Sequence, residues 1–426
     1  MAYGSVRGMR DILPEETPYW TRLEMGIREV ARLYNYREIR PPLVEQTDLF
    51  SRGIGEATDV VTKEMYTFPD KKGRSLTLRP EATASVVRAY VEHGLHIREP
   101  FQKLYYIGPM FRYEKPQKGR SRQFHQYGVE AIGSIDPTLD VEVISFAWEL
   151  MNSLGLSGLS LRLNSIGCAA DHPRYREVLQ DHFSRNLDSL CTDCLRRYEE
   201  NPLRILDCKN ATCRSQIEAA PGSADHLCKD CADHFAAVRE HLDRLHLSYT
   251  VDPRLVRGLD YYTRTVFELV SADLGAQDAL LGGGRYDDLV KMVGGPATPA
   301  VGFAGGMERL ILVLQGKSAT TMEKPRLDLF LATLGEGGRA LALELAKSLR
   351  SRRISVDLDY RGRALRKQIS QANRLGTRYL LVIGDDETAA GKGRLKEMDS
   401  GEECEVALTP TGISETILIS GGKDGT

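Results

Sequence analysis

A run of cations set between two apolar stretches constrains this chain more than any other feature. From Pro109 to Gly133 it reads PMFRYEKPQKGRSRQFHQYGVEAIG, with five cations (Arg112, Lys115, Lys118, Arg120, Arg122) against one acid, Glu114, between Arg112 and Arg122. Flanks rich in Tyr, Val and Ile predict two strands, and Lys115 to Ser121, with its Pro and Gly, predicts the loop between them. A charged hairpin of this kind can hold an anion, and forked guanidinium groups suit phosphate best. A charge run alone more often marks a solvated face. What distinguishes this one is Gln126 and Glu130 on the returning strand. Residues four apart on a strand share a face, so an amide and a carboxylate point the same way. A phosphate grip and a polar wall on one hairpin predict an active site.

The 426 residues leave room for two or three domains, each with its own core. A net charge of −2 places any nucleic-acid affinity in local patches. No apolar run approaches membrane-spanning length. The start, MAYGSVRGMRDILPEE, lacks the apolar segment of a signal peptide, so the expected location is the cytoplasm.

In chain order, Trp20, Leu23, Ile27, Val30, Ala31 and Tyr34 recur at helical spacing and predict an amphipathic helix over 17–34. Tyr36 to Leu43 reads as a strand, and its Pro41-Pro42 pair suits an edge or an interface. Met65 to Phe68 and Ser75 to Glu81 predict short strands joined by a turn at 70–74, and 83–93 a helix. Glu81 and Thr83 then sit where a strand ends and a helix begins, a common place for ligand contacts. Glu81 fits equally well as an acid favoured by a helix N-terminus. A helix over 138–153 and a strand through Leu159, Leu161 and Leu163 precede residues 168–250. These are rich in charge, His and Cys, and predict a mostly helical insertion.

Three further stretches carry chemistry. LVRGLDYYTRTVFELV (255–270) crowds Arg257, Asp260, Tyr261, Tyr262 and Arg264 into one short run. LGGGRYD (281–287) brings backbone close to a bound group or makes a glycine turn. AVGFAGGMERLILVL (300–314) reads as a glycine-rich strand entering a helix with Glu308 and Arg309 in its first turns, a natural anion site. No Walker loop occurs. Residues 316–326 predict a linker, and beyond it strands and helices alternate in an α/β pattern. Between Lys347 and Arg378 ten Lys or Arg face two acids, Asp357 and Asp359, which suggests a phosphate backbone as partner.

Eight cysteines in a chain without secretory signals favour free thiols or a metal over disulfides. Cys191-x2-Cys194 and Cys228-x2-Cys231 flank Cys208 and Cys213, and paired C-x2-C knuckles fit tetrahedral zinc. The knuckles lie farther apart than in a zinc ribbon, so unligated thiols in a helical insertion are the expectation, with no metal assigned. Cys168 and Cys404 have no partner pattern.

The three arginine-bearing segments resemble the motifs of class II aminoacyl-tRNA synthetases. The Pro41-Pro42 strand resembles motif 1, the dimer-interface element. FRYE (111–114) with its hairpin resembles motif 2, and GGMERL (305–310) resembles motif 3. LVRGLDYYTRTVFE and KPQKGRSRQFHQYGVE are similar to the signatures of histidyl-tRNA synthetases, with Lys115 where that family commonly has Arg. The similarity runs from RGMRDILP to the basic C-terminal domain. It implies an α+β catalytic domain over 1–325, built on a mainly antiparallel sheet, with the insertion at 168–250. It also implies a C-terminal α/β anticodon-binding domain over 326–426. A regulatory paralogue of this fold would lack that last domain and the LVRGLDYY arginine.

The resemblance further implies ATP and Mg²⁺, L-histidine, tRNA(His) and a homodimer without membrane attachment. Arg112, Arg257 and Arg309 would be the catalytic cations, with Arg112 on the α-phosphate and Arg309 on the γ-phosphate. Arg257 would reach the α-phosphate from the histidine side. Phe124 would stack on adenine and Glu114 would bind its amine. Glu81, Thr83, Gln126, Glu130, Tyr261 and Tyr262, with Arg112 and Arg257, would surround histidine. Gln117, Lys118 and Arg120 would meet the tRNA acceptor end.

Overall fold

The computed structural model describes residues 3–56, 58–115, 119–271, 279–317 and 326–421. They divide into two units, Met1–Ala319 and Thr320–Thr426.

Helix α1 (Thr17–Leu33) buries Trp20, Leu23, Ile27, Val30 and Ala31, the stripe expected from its periodicity. Of the strand expected over Tyr36 to Leu43, only β1 (Arg37–Glu38) enters a ladder, parallel to Leu104 and Tyr105. Pro41 and Pro42 have no amide hydrogen to extend it. Strands β2 (Val44–Gln46), β3 (Tyr66–Pro69) and β4 (Ser75–Leu78) make a small sheet in the order β2-β4-β3, with α2 (Thr47–Ile54) between the first two in sequence. Helices α3 (Thr83–Glu92) and α4 (Leu95–Arg98) lead into the hairpin, β5 (Gln102–Phe111) and β6 (Gln123–Ile132).

Helix α5 (Pro137–Ser153) and β7 (Leu159–Ser165) follow, then four insertion helices: α6 (His172–Ser184), α7 (Thr192–Glu200), α8 (Ala211–Glu218) and α9 (Lys229–Arg244). Strands β8 (Tyr249–Val251), β9 (Thr263–Ser271), β10 (Ala279–Arg285) and β11 (Ala300–Gly306) complete the main sheet, with α10 (Leu289–Met292) before β11 and α11 (Met307–Lys317) after it.

The main sheet runs β1-β5-β6-β11-β10-β9-β7-β8. Pairings from β5 through β7 are antiparallel, and only the edge strands β1 and β8 pair in parallel. One correction concerns this sheet. The run Gly282-Gly283-Gly284 is strand, not turn, paired on both sides. Residues 252–262 are irregular, and strand begins only at Thr263.

One face carries Tyr105, Tyr127, Val129, Val301, Phe303 and Phe267 into a core shared with α1, α5, α9 and α11. The insertion is therefore not a free appendage: Phe235, Val238 and Leu242 of α9 lie in that core. The opposite face carries Tyr106, Met110 and Ile132 into a second core with α3 and with Tyr175, Leu179 and Phe183 of α6. Arg285, at the end of β10, is fully buried and pairs with the fully buried Asp140 of α5 at 2.6 Å. It also donates to the carbonyls of Ser134 and Asp136, each at 2.9 Å. That fork locks the helix onto the sheet.

In the second unit, β12 (Leu329–Thr333), α12 (Gly335–Ser351), β13 (Val356–Leu358), α13 (Leu365–Arg374) and β14 (Tyr379–Ile383) match the expected alternation. Beyond them lie α14 (Asp385–Ala390), β15 (Lys392–Glu397), β16 (Glu403–Ala407) and α15 (Pro410–Gly421). The order is β13-β12-β14-β15-β16, parallel among the first three and antiparallel thereafter. Strand β15, KGRLKE, escapes a hydrophobic reading because only Gly393 and Leu395 turn inward.

Candidate active site

The site occupies the sheet face beneath α3, and its floor is main chain. Gly302 of β11 lies opposite Glu130, and Gly306 lies opposite Gln126, which faces Gly108 on the other side. A Cβ on Gly302 would fall 2.1 Å from Glu130 Oε2, whereas one on Gly306 would meet open space. Gly282 on β10 continues the same face, and a Cβ there would strike the Arg257 guanidinium at 2.3 Å. Glycine at alternate positions of neighbouring strands removes side chains from one face and leaves a chamber over the sheet.

Glu130 is the polar centre of this chamber. Thr83 Oγ1 donates to its Oε1 at 2.7 Å, and the Tyr286 hydroxyl donates to its Oε2. Burial pushes its carboxyl up to about 8, the two hydroxyls pull it down, and the charge of Glu81 adds a smaller upward push. Glu81 caps α3: its carboxylate accepts from the backbone N–H of Thr83 at 2.6 Å and of Ala84 at 3.0 Å. The helix-terminus reading of Glu81 is thus correct, and the same geometry fixes it beside Thr83 and Glu130. Burial raises its carboxyl as well. Tyr261 and Tyr262 pack against each other with ring centroids 4.7 Å apart, and Tyr261 meets the Tyr286 ring edge-on.

Among the described residues, Gln126 Oε1, Tyr106 Oη and Arg257 Nε are buried without a hydrogen-bond partner. Buried polar atoms are normally satisfied, so orphans converging on one chamber point to a polar ligand.

The three arginines come from three elements. Arg112 follows β5, donates from Nε to the Pro80 carbonyl at 2.8 Å, and lies 5.4 Å from the centre of the Phe124 ring. Arg257 lies over Gly282 and is held by Glu268, which is Gly282's partner on β9. Arg309, in the first turn of α11, donates from Nη1 to the carbonyl of Ala279 at 2.8 Å. Glu114 pairs with Arg120 at 3.1 Å and stands 3.9 Å from Arg112. Gln117 and Lys118 lie outside the described residues. A cavity of about 660 Å³ adjoins the Arg257 loop, lined by Arg257, Asp260 and Tyr262 and, from the insertion, by His172, Arg176 and Arg204.

A family model described as histidyl-tRNA synthetase matches residues 8–310, and one described as anticodon binding domain matches residues 328–411. The chain belongs to the histidyl-tRNA synthetase family. Among relatives of this family, the histidine–tRNA ligase of Syntrophotalea carbinolica is 47% identical over 418 residues, covering 98% of this chain and 99% of that one. That of Geobacter metallireducens is 49% identical over 409 residues, covering 96% and 98%. The crystal structure of apo S. aureus histidyl-tRNA synthetase superposes with a TM-score of 0.80 at 39% identity, covering 98% of this chain and all (100%) of that one. The fold is accordingly that of class II synthetases, as the motifs implied.

Within this family member, sequence reasoning missed two side chains that shape the chamber. Tyr286 holds Glu130, and Tyr106 leans over Gly128, where a Cβ would lie 2.4 Å from its hydroxyl. Neither sits in a charged run. Tyr286 directly follows the glycine strand, and Tyr106 stands two residues before Gly108, a period-two relation that could have flagged it. The expectation for Cys168 also changes. Its thiol lies with Asp171, Cys228 and Cys231, while Cys191, Cys194, Cys208 and Cys213 form a second group.

Proposed function

We propose that the chamber over Gly302 and Gly306 receives L-histidine and ATP, and that this chain charges tRNA(His). The reaction is that of a histidine–tRNA ligase. The histidine carboxylate attacks the α-phosphorus of ATP and expels diphosphate. The terminal ribose hydroxyl of tRNA then takes the histidyl group and releases AMP. One observation carries the assignment of the amino-acid pocket: Glu130, buried and gripped by Thr83 and Tyr286, faces a glycine floor beside the orphaned Gln126 Oε1.

Negative charge grows on the phosphoryl oxygens during attack, so fixed cations are the chief requirement. Arg112 takes the α-phosphate from the hairpin side and Arg257 from the histidine side, while Arg309 takes the γ-phosphate. Phe124, already beneath the Arg112 guanidinium, stacks on adenine, and Glu114 accepts from its amine. Glu130 and the tyrosines meet the imidazole. Glu81, Thr83 and Gln126 offer oxygens to the α-ammonium. A pocket that pairs both ring nitrogens strands its own polar groups when another side chain enters, a penalty of about 10⁴-fold or more.

Mg²⁺ fits the donors present. Burial first, and then the charge of Glu114, raises the carboxyl of Glu64, an acid that a hydrated cation arriving with the nucleotide would neutralise. When bound, the ion supplies neutralisation of phosphate charge. Arg120, with Gln117 and Lys118, meets the acceptor end. The catalytic domain spans 1–325, including the 168–250 insertion, and the anticodon-binding domain spans 326–426. Arg361, Arg366, Lys367 and Arg374 of the latter are exposed for a phosphate backbone. A homodimer is supported by the exposed Leu43 and Val44 next to Pro41-Pro42. The location is cytoplasmic; among the described residues no helix is long and apolar enough to cross a membrane.

ATP–pyrophosphate exchange with each of the twenty amino acids tests the reading. Exchange with histidine alone is expected. Exchange driven by another amino acid, or none with histidine, overturns it. Arg257→Ala should lower histidine-dependent exchange by about 10²–10³-fold with the fold intact.

A further inference from the structure

We propose that the insertion holds two structural zinc ions, one bound by Cys191, Cys194, Cys208 and Cys213, the other by Cys168, Asp171, Cys228 and Cys231. In each group the four ligand atoms lie within 4.8 Å of one another, although the residues come from separate turns of the chain. All eight cysteines are free thiols, so no disulfide competes for them.

The spacing is that of a tetrahedral ion. Zinc–sulfur bonds of about 2.3 Å at tetrahedral angles set sulfurs about 3.8 Å apart. Cys191 Sγ and Cys208 Sγ are separated by 3.8 Å. A zinc–oxygen bond of about 2.1 Å beside a zinc–sulfur bond sets oxygen and sulfur about 3.6 Å apart. Cys168 Sγ and Asp171 Oδ2 are separated by 3.6 Å. One pair in each of two unrelated ligand sets thus lies at the tetrahedral spacing.

The surroundings suit thiolates. The Cys191 N–H points at Cys213 Sγ at 3.2 Å, and the Asn210 N–H at Cys208 Sγ at 3.4 Å. Backbone donors to sulfur stabilise the ionised form and orient the ligands. Around the second group, Asp171 is fixed by the N–H of Cys168 at 3.1 Å and of Cys228 at 2.9 Å. Arg264 reaches the Asp230 carbonyl inside the Cys228–Cys231 knuckle at 3.3 Å, placing a cation beside an anionic centre. Cys194, Cys213 and Cys231 are fully buried. Closed four-ligand sets without an open position are structural, not catalytic.

The centres tie together separate segments of the insertion. The first joins the turn before α7 to the start of α8, and the second joins the segment before α6 to the start of α9.

Metal analysis of the full chain, purified without chelator, tests this directly. About two zinc ions per chain are expected. Cys191→Ser and Cys213→Ser should each retain about one, as should Cys168→Ser and Cys228→Ser, while Cys404→Ser retains both. Where a variant fails to fold, thiol titration of the native chain replaces it: only Cys404 should react freely, and modifying the other seven should release zinc in step. Cobalt-loaded protein should show thiolate charge-transfer and tetrahedral d–d bands. Zinc below about 0.2 per chain after refolding in zinc, or seven thiols reacting freely without metal release, overturns the proposal. A single ion lost only with one set of variants overturns the other centre.

Discussion

Glu130 is held as a neutral acid by its surroundings until something polar enters. Its folded value of about 8 stands above the 4.5 of an unperturbed glutamate, so between those values the folded chain keeps a proton that the unfolded chain releases. The stability it contributes is complete below about pH 4.5 and is lost as pH rises through about 8. Glu130→Gln cannot titrate. Denaturation of the ligand-free chain from about pH 5 to 8.5 should therefore fall off more steeply in the native protein than in Glu130→Gln, and parallel curves would refute this. At the same scale the sequence was partly legible. Period two placed Gln126 and Glu130 on one face, and the ladder keeps them there. Tyr286 and Tyr106 were hidden, because a tyrosine's role depends on which backbone it overhangs.

Strands built from glycine are hard to read, since a residue without a side chain shows no alternation. That is why 282–284 read as a close backbone approach or a turn, and only the ladders on both sides show the strand. Gly302→Ala should displace the Glu130 carboxylate and press on the Val129 carbonyl, which a Cβ would approach to 2.3 Å, lowering both histidine-dependent exchange, by at least about 10-fold, and the melting temperature. The helix-to-sheet lock between α5 and β10 reports on stability. Asp140→Ala leaves the buried Arg285 guanidinium with Asp287, at 3.4 Å, as its remaining counter-charge and should cost about 3 kcal/mol in urea unfolding. The cysteine groups were likewise half visible. The C-x2-C knuckles showed in the sequence, but Cys168 lies about sixty positions before Cys228 and Cys231, and only the fold, which sets the segment before α6 beside the start of α9, brings them together.

Across the whole molecule, the alternating pattern outlined both units, while the short polar strands β15 and β16 escaped it because their inward residues are so few. The two units answer to different substrates under the proposed division of labour. Reversing charge at Arg366, Lys367 and Arg374 should raise KM for tRNA and flatten its salt dependence, with each lost phosphate contact lowering the slope by about 1. Pyrophosphate exchange, which needs no tRNA, should be unchanged. A loss of exchange would place those residues in the catalytic unit's business instead.

A pocket paved with bare backbone has a further consequence. Any substitution at Gly302 or Gly282 can only shrink the space, because there is nothing on the paving to cut back. Room for a bulkier amino acid would have to be taken from the tyrosine and glutamate walls, which are the same groups proposed to recognise the imidazole. Enlarging this pocket and keeping its discrimination are therefore opposed demands.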